Sequence, residues 1–347
     1  MGLFNKPKPS ATFKDIEMME ACGDIYGLVQ LLSADSPGVV RKAMDALRRV
    51  GPPAVDALIK VLDSGSPGQQ YKAALVLGDI GDRRALPSVA RLAYSRDPGV
   101  RACACLSLGS LKGDLAINPL VSHLADGDED VRDAAAFSLS VLGPEACPHV
   151  VDAFARAYQK LLAARACQER ASSKGLFDPG TVERSVSAAA EFGLLQDGVA
   201  RMIAHMGRPA AGTLIGCLFS DRRVVGADVP VVARCGTVAV GPLLDLLGCP
   251  DDHVRLRAVL SLGAIKDRKA KKPLEGLLDD GRREIREAAA SALRGITTTA
   301  PLVVEQEPDT AMAVMESCEH CGASIDYGSK YCRYCGALLF DTGNLLS

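Results

Sequence analysis

The 347-residue chain has no tryptophan at all, and aromatic residues make up only 4% of it. A β-sandwich packed with bulky rings is therefore disfavoured. The core must come from Ala, Leu, Val and Ile within a 48% hydrophobic composition, a mixture that suits close-packed helices. Neither sign of charge is in excess: 40 Lys plus Arg against 42 Asp plus Glu leave a net charge of -2. A general nucleic-acid binder leans basic, so only a local basic patch is left open. Long apolar runs are also missing. The longest stretch without a charged residue, 209–220, is too short to span a bilayer. No apolar segment of signal-peptide length precedes Pro7 and Pro9, and Lys6 stands where a myristoylation motif starting at Gly2 wants Ser or Thr. The expectation is a soluble, cytoplasmic protein. Of twelve cysteines, eight are scattered and four form tight pairs, which fits a reducing compartment and one metal site.

What the chain does contain is a repeat of about 31 residues. "DPGVRACACLSLGSLKGDLA" from Asp97, "DEDVRDAAAFSLSVLGPEA" from Asp128 and "DDHVRLRAVLSLGAIKDRKA" from Asp251 align without gaps through their first helices. Arg101, Arg132, Arg255 and Arg286 mark one register, with weaker copies at Val40 and Gln70. Three residues later come Ala43, Ala73, Ala104, Ala135, Ala258 and Ala289; seven later come Leu47, Leu77, Leu108, Leu139, Leu262 and Leu293. With Val100, Val131, Val254 and Ile285 they make one helical stripe. Asp97, Asp128 and Asp251 stand at N-cap positions, Pro98 suits the first helical turn, and turns follow near Gly51, Gly81 and Gly143. A second apolar helix then begins, as in "ALPSVARLAY" and "AINPLVSHLAD". A two-helix unit cannot bury its stripe alone, so neighbours must stack into a continuous core. Fainter copies near Gly207 and Gly236 bring the total to about eight hairpins, and "DIEMMEACG" and "IYGLVQLLS" cap the N-terminal end.

These "VRxxAAxxLGxIGD"-type units resemble the HEAT-like repeats of the phycobilin-lyase type, also called E-Z repeats. The resemblance covers residues 15–296, with a gap. It implies an all-α fold, a right-handed α-solenoid of about eight HEAT-like hairpins. It also implies that the repeated Asp and Arg form a hydrogen-bonded ladder between neighbouring units. Residues 144–195 fit the pattern poorly: one longer helix to about Ser172, a loop through Gly175, Pro179 and Gly180, and another helix are expected. The interval is either a degenerate pair of repeats or an interruption that reshapes the groove.

The strongest chemical motif lies at the end, "CEHCGASIDYGSKYCRYCGALLF". Cys318–Cys321 and Cys332–Cys335 are two CxxC knuckles separated by ten residues, each followed by Gly-Ala. Such turns aim two thiolates at one ion, and four soft ligands satisfy tetrahedral zinc with no position left for water. One structural Zn2+ held by Cys318, Cys321, Cys332 and Cys335 is expected, in a segment similar to the short zinc ribbons ending many bacterial and archaeal proteins. Its three acids and two bases give it no basic surface. The chain thus divides into a tail (1–14), the array (15–296), a linker (297–317), the ribbon (318–340) and a final tail (341–347).

Other candidates weigh toward structure. Cys105 of "RACACLSLG" occupies the place of Ala74, Ala136 and Ala290, so a buried small residue is expected rather than a nucleophile or chromophore link. Its neighbour Cys103 is weighed with it, and similar caution against a chemical role applies to Cys147, Cys167, Cys217, Cys235 and Cys249. His123, His149, His205, His253 and His320 are dispersed and form no His-Glu pair, the feature used by HEAT-like di-iron hydroxylases. "KDRKAKKP", Lys266 to Pro273, together with Arg282 and Arg283, offers a basic edge or merely solvated turns. The reading is a non-catalytic protein–protein interaction scaffold or adaptor, its groove lined by second helices. A bilin-lyase-like or other protein-modifying enzyme or chaperone, suggested by the resemblance alone, and a nucleic-acid-associated adaptor are the alternatives. No catalytic or cofactor-binding residue is assigned, and the oligomeric state is left open.

Overall fold

The computed structural model describes residues 12–173 and 178–298, and the backbone of 316–317 and 324–325. Its helical part divides into two compact units, with the boundary in the chain between Ala116 and Ile117.

In the first unit the order is α1 (Phe13–Cys22), α2 (Ile25–Gln30), α3 (Pro37–Val50), α4 (Val55–Ser64), α5 (Pro67–Ile80), α6 (Leu86–Leu92) and α7 (Pro98–Leu111). Helix starts follow from local chemistry. Thr12 and Asp15 form a reciprocal capping box, as do Ser66 and Gln69, each satisfying amide donors that the first turn leaves unpaired. Pro37, Pro67 and Pro98 occupy first positions, where no amide hydrogen is needed. The repeated Ala and Leu are the core: Ala43, Ala73, Ala104, Leu47, Leu77 and Leu108 are fully buried. The glycine of "LG" has its own role. A Cβ on Gly78 would lie 3.1 Å from the Ser107 Cα, so successive first helices approach at van der Waals distance there. Buried Ser107 donates to the Ala74 carbonyl at 2.7 Å, tying α7 to α5.

The second unit contains most of α8 (Asp114–His123), then α9 (Glu129–Leu142), α10 (Cys147–Ser173), α11 (Pro179–His205), α12 (Arg208–Ser220), α13 (Asp228–Arg234), α14 (Val240–Leu246), α15 (Asp252–Ile265), α16 (Lys271–Glu275) and α17 (Arg283–Thr298). Odd-numbered helices are the first and even-numbered the second of each hairpin. The last described helix, α17, buries Ile285, Ala289, Ala292 and Ile296 and turns Arg283, Glu287, Ser291 and Arg294 outward.

The expected Asp–Arg ladder is corrected in its details. Asp97, Asp128 and Asp251 cap their own helices, accepting from Val100 N, Asp130 N and His253 N at 2.9, 3.0 and 2.8 Å. The repeated arginines turn back to the preceding turn. Arg101 Nη1 donates to the Ser95 and Arg96 carbonyls, Arg132 Nη1 to Asp126 and Gly127, Arg255 Nη1 to Cys249 and Pro250, and Arg286 Nη1 to Asp280. Each guanidinium thus satisfies carbonyls where the previous second helix ends. Pairs between neighbouring hairpins use other residues: Arg48–Asp79 at 2.6 Å, Arg91–Asp63 at 2.9 Å and Arg84–Asp56 at 3.3 Å. Arg132 also reaches well into the next hairpin, to Asp197 at 2.9 Å, and Arg255 Nε faces Asp280, in the turn before the next first helix, at 3.6 Å.

Candidate functional site

The poorly repeating interval folds as α10 and α11, each 27 residues long, against 14 for α9 and 13 for α12. They serve as the second helix of one hairpin and the first of the next, so the register continues while both helices overshoot by about 13 residues, or roughly 20 Å. Phe154 and Tyr158 pack on Phe192 with ring centroids 5.0 and 5.4 Å apart, and Lys160 pairs with Glu191 at 2.5 Å. Farther out, the seam is mostly Ala and Ser with Leu161, Ser185 and Ala188 buried. That explains the lost pattern: the distal half has one partner helix, so it needs a two-helix seam instead of the repeat stripe.

At its base α10 braces a loop. Tyr158 Oη donates to the Val225 carbonyl at 3.3 Å and Gln159 Nε2 to the Arg223 carbonyl at 2.8 Å. Beneath it, fully buried Asp228 accepts from Gly226 N at 3.2 Å and forms an ion pair with Arg257 of α15. Burial holds the Arg257 guanidinium below its ordinary pKa, yet it stays charged at any physiological pH. Loop 221–227 is therefore fixed from both sides.

This loop forms one wall of a groove of about 980 Å³ lined by α10, α12 and α14. Its floor follows from the amphipathicity of α12. Ala211, Leu214, Ile215, Leu218 and Phe219 face the core, leaving Arg208, Gly212, Gly216 and Ser220, at intervals of four, along the open face. The walls are ion pairs. Arg208 grips Asp245 with two bonds of 2.9 and 2.6 Å, and Arg223 bridges Asp221 and Asp152 at 2.8 and 2.9 Å. The hydrogen bond from Arg223 holds the Asp221 carboxyl below its usual range, and the Asp245 carboxylate raises the Arg208 guanidinium. Arg222 also lines the groove and has no carboxylate partner among the described residues. A second hollow of about 850 Å³, between α8, α10 and α11, includes Asn118, Ser122, His149, Arg156 and Lys160 and shares Pro148 with the first. Both hollows thus border second helices, the second also being lined by Glu191 and Leu195 of the first helix α11.

The other sequence candidates fall elsewhere. Cys103 and Cys105 are buried, and burial pushes the Cys103 thiol up to about 12 and those of Cys147 and Cys235 up to about 11. None of these three is a thiolate at neutral pH. Cys217 lines the groove, Cys249 is half-buried and Cys167 exposed. His123 faces Asp126 at 3.2 Å, His205 faces Asp133 at 3.0 Å, and His149 lines the second hollow. His253 lines a shallow pocket beside Asp252 and Arg282. Among the described residues no group of three or more His, Cys, Asp or Glu could hold a metal, and no single helix is long and apolar enough to cross a membrane. Cys318, Cys321, Cys332, Cys335 and His320 lie outside the described residues, although Glu316–Ser317 (β1) and Ser324–Ile325 (β2) pair antiparallel around the first knuckle. The basic edge is corrected in one respect. Arg282 pairs with Asp252 at 2.5 Å and Arg283 with Glu287 at 2.6 Å, so both are neutralised at the opposite end of the hairpin from Lys266–Lys272.

Comparison with known proteins agrees with this architecture. The HEAT-repeat pattern matches residues 55–140 and 232–304. No curated protein matches the sequence. Among solved structures, the complex of CpcE and CpcF of phycocyanin lyase from Nostoc sp. PCC7120 is 19% identical, with 85% of this chain and 99% of that one covered and a TM-score of 0.34. Human deoxyhypusine hydroxylase in complex with glycerol is 18% identical, covering 82% of this chain and 99% of that one, with a TM-score of 0.31. A designed armadillo repeat protein is 15% identical over 78% of this chain and 98% of that one, at a TM-score of 0.25. Likenesses this distant assign no activity. The chain is an all-helical repeat protein over its described helices, carrying HEAT repeats in two stretches.

Proposed function

We propose that the protein is a non-catalytic scaffold or adaptor whose second-helix groove, from Pro148 to Leu246, holds a segment of a partner protein. The observation that carries this reading is the groove itself, with a floor of Gly212, Thr213, Gly216 and Cys217 between walls of closed ion pairs. A floor of small residues lets a partner's main chain come close, while Arg and Asp locked to one another give shape and orientation without a proton to transfer. Helices α8, α10, α12 and α14 at ordinary interaxial distances span about 30 Å, enough for roughly nine residues of extended chain.

The groove offers a clean test. A Cβ on Gly216 would meet nothing closer than the Leu246 Cδ2 at 3.7 Å, so Gly216→Arg should fold normally and fill the groove. Affinity capture from the native cell, read by mass spectrometry, should recover a partner with the wild type and lose it with Gly216→Arg at an unchanged melting temperature. Retention of the full partner set by a folded Gly216→Arg protein would overturn the reading.

The C-terminal segment adds a second element to the proposal, one structural Zn2+ bound by Cys318, Cys321, Cys332 and Cys335. Supporting it, Ser317 pairs with Ser324 across the first CxxC, the placement a zinc knuckle takes in a hairpin. A segment this short has too little core to fold by burial alone, so the metal would serve as its core. Protein purified under reducing conditions should contain about one zinc per chain, and Cys318→Ser with Cys321→Ser should remove it. Zinc-free wild-type protein would refute the site.

A further inference from the structure

The turn from α15 into α16 concentrates cations that the rest of the fold does not answer. Lys266, Arg268, Lys269, Lys271 and Lys272 are exposed, and none forms an ion pair among the described residues, whereas Arg208, Arg255, Arg257, Arg282 and Arg283 of the same unit are all paired. The single acid in the run, Asp267, is turned inward and caps the turn by accepting from Lys269 N at 2.8 Å. Lys266 itself sits at φ 60°, ψ 29°, the left-handed region that Gly81 occupies after α5 at φ 74°, ψ 14°. A side chain is strained there, as at Lys112 after α7 at φ 49°, and glycine would fold more easily at this position. Like charges crowded into one turn also repel one another. The turn therefore carries charge that works against its own stability.

We propose that Lys266–Lys272 is a docking edge for a short acidic segment of a partner protein, separate from the groove. Nucleic acid fits less well. The corresponding turn of the preceding hairpin, Cys235 to Ala239, has no charged residue, so the positive strip does not continue along the array as a phosphate backbone would need. The run contains no aromatic side chain on which a base could stack. Four of its five cations are lysines, flexible point charges that suit a run of mobile carboxylates better than a fixed bidentate acceptor.

The test uses the full chain, fluorescein-labelled oligoglutamate and, for comparison, an oligothymidylate of about 20 nucleotides, with anisotropy read at about 50 and about 300 mM salt. The peptide should bind at low salt and lose at least about tenfold in affinity in the triple variant K269E/K271E/K272E, while Gly216→Arg leaves its binding unchanged. Carbodiimide cross-linking should join peptide carboxylates to Lys266, Lys269, Lys271 or Lys272. The triple variant should melt no lower than wild type, which separates lost docking from unfolding. Undetectable peptide binding at low salt, or binding that survives the triple reversal, would overturn the proposal. Tighter binding of oligothymidylate, abolished by the reversal, would instead make this a nucleic-acid edge.

Discussion

Gly198→Ala is expected to destabilise the protein by about 2–3 kcal/mol, although alanine is the better helix former by about 1 kcal/mol. Gly198 is buried in the middle of α11, and its missing side chain is where Leu124 passes. A Cβ would lie 2.8 Å from the Leu124 carbonyl carbon and 2.9 Å from its Cα. These are backbone atoms, so relief requires moving α11 off the turn after α8, and the overpacking cost exceeds the propensity gain. Five residues earlier on the same helix, a Cβ on Gly193 meets nothing within 4 Å. Gly193→Ala should therefore stabilise by about 0.8 kcal/mol. Urea unfolding of the two variants beside wild type checks the opposed signs, and a stabilised Gly198→Ala protein would show that α11 is not seated as described.

The second large effect belongs to the buried pair under the groove wall. Asp228→Ala leaves Arg257 charged, with a side chain 12% exposed and its carboxylate gone, a change expected to cost about 3–5 kcal/mol. It also removes the acceptor for Gly226 N and so loosens the loop bearing Arg222 and Arg223. Replacing both partners by apolar residues, as in Asp228→Leu with Arg257→Met, should recover most of the loss, because the penalty comes from an uncompensated charge rather than from a missing attraction. Chemical denaturation of the single and double variants decides it. A single variant as stable as wild type would mean that the pair is not buried in solution.

The core of this fold was legible because one stripe repeats. Alanine three and leucine seven residues after the register position fell on fully buried sites in every clear copy except Leu293, which lies on the last described helix. Helix starts were legible through Asp97, Asp128 and Asp251, which do cap. The arginines of the same motif were harder. Spacing reveals that a charge recurs, whereas the partner type shared by all four is a backbone carbonyl, which has no letter in the sequence. The division at Ala116 left no mark on the pattern. The groove could be foreseen as a property of second helices, but not its position. Gly212 and Gly216 read as weak helix residues, and only the burial of Leu214, Ile215 and Leu218 on the other side shows that they form a floor. Likewise the long hairpin could be drawn from its breakers, Gly175, Pro179 and Gly180, but its role as a brace depends on Tyr158 and Gln159 reaching carbonyls more than sixty positions away.

The claim that the second-helix groove is where this protein meets its partner is tested most directly by site-specific photo-cross-linking. A photoreactive phenylalanine analogue placed at Thr213, in the groove floor, should yield a covalent adduct with a single protein in the native cell. The same analogue at Leu260, exposed on the first helix α15, should yield none. Adducts from position 260 with none from position 213, both variants being folded, would contradict the account.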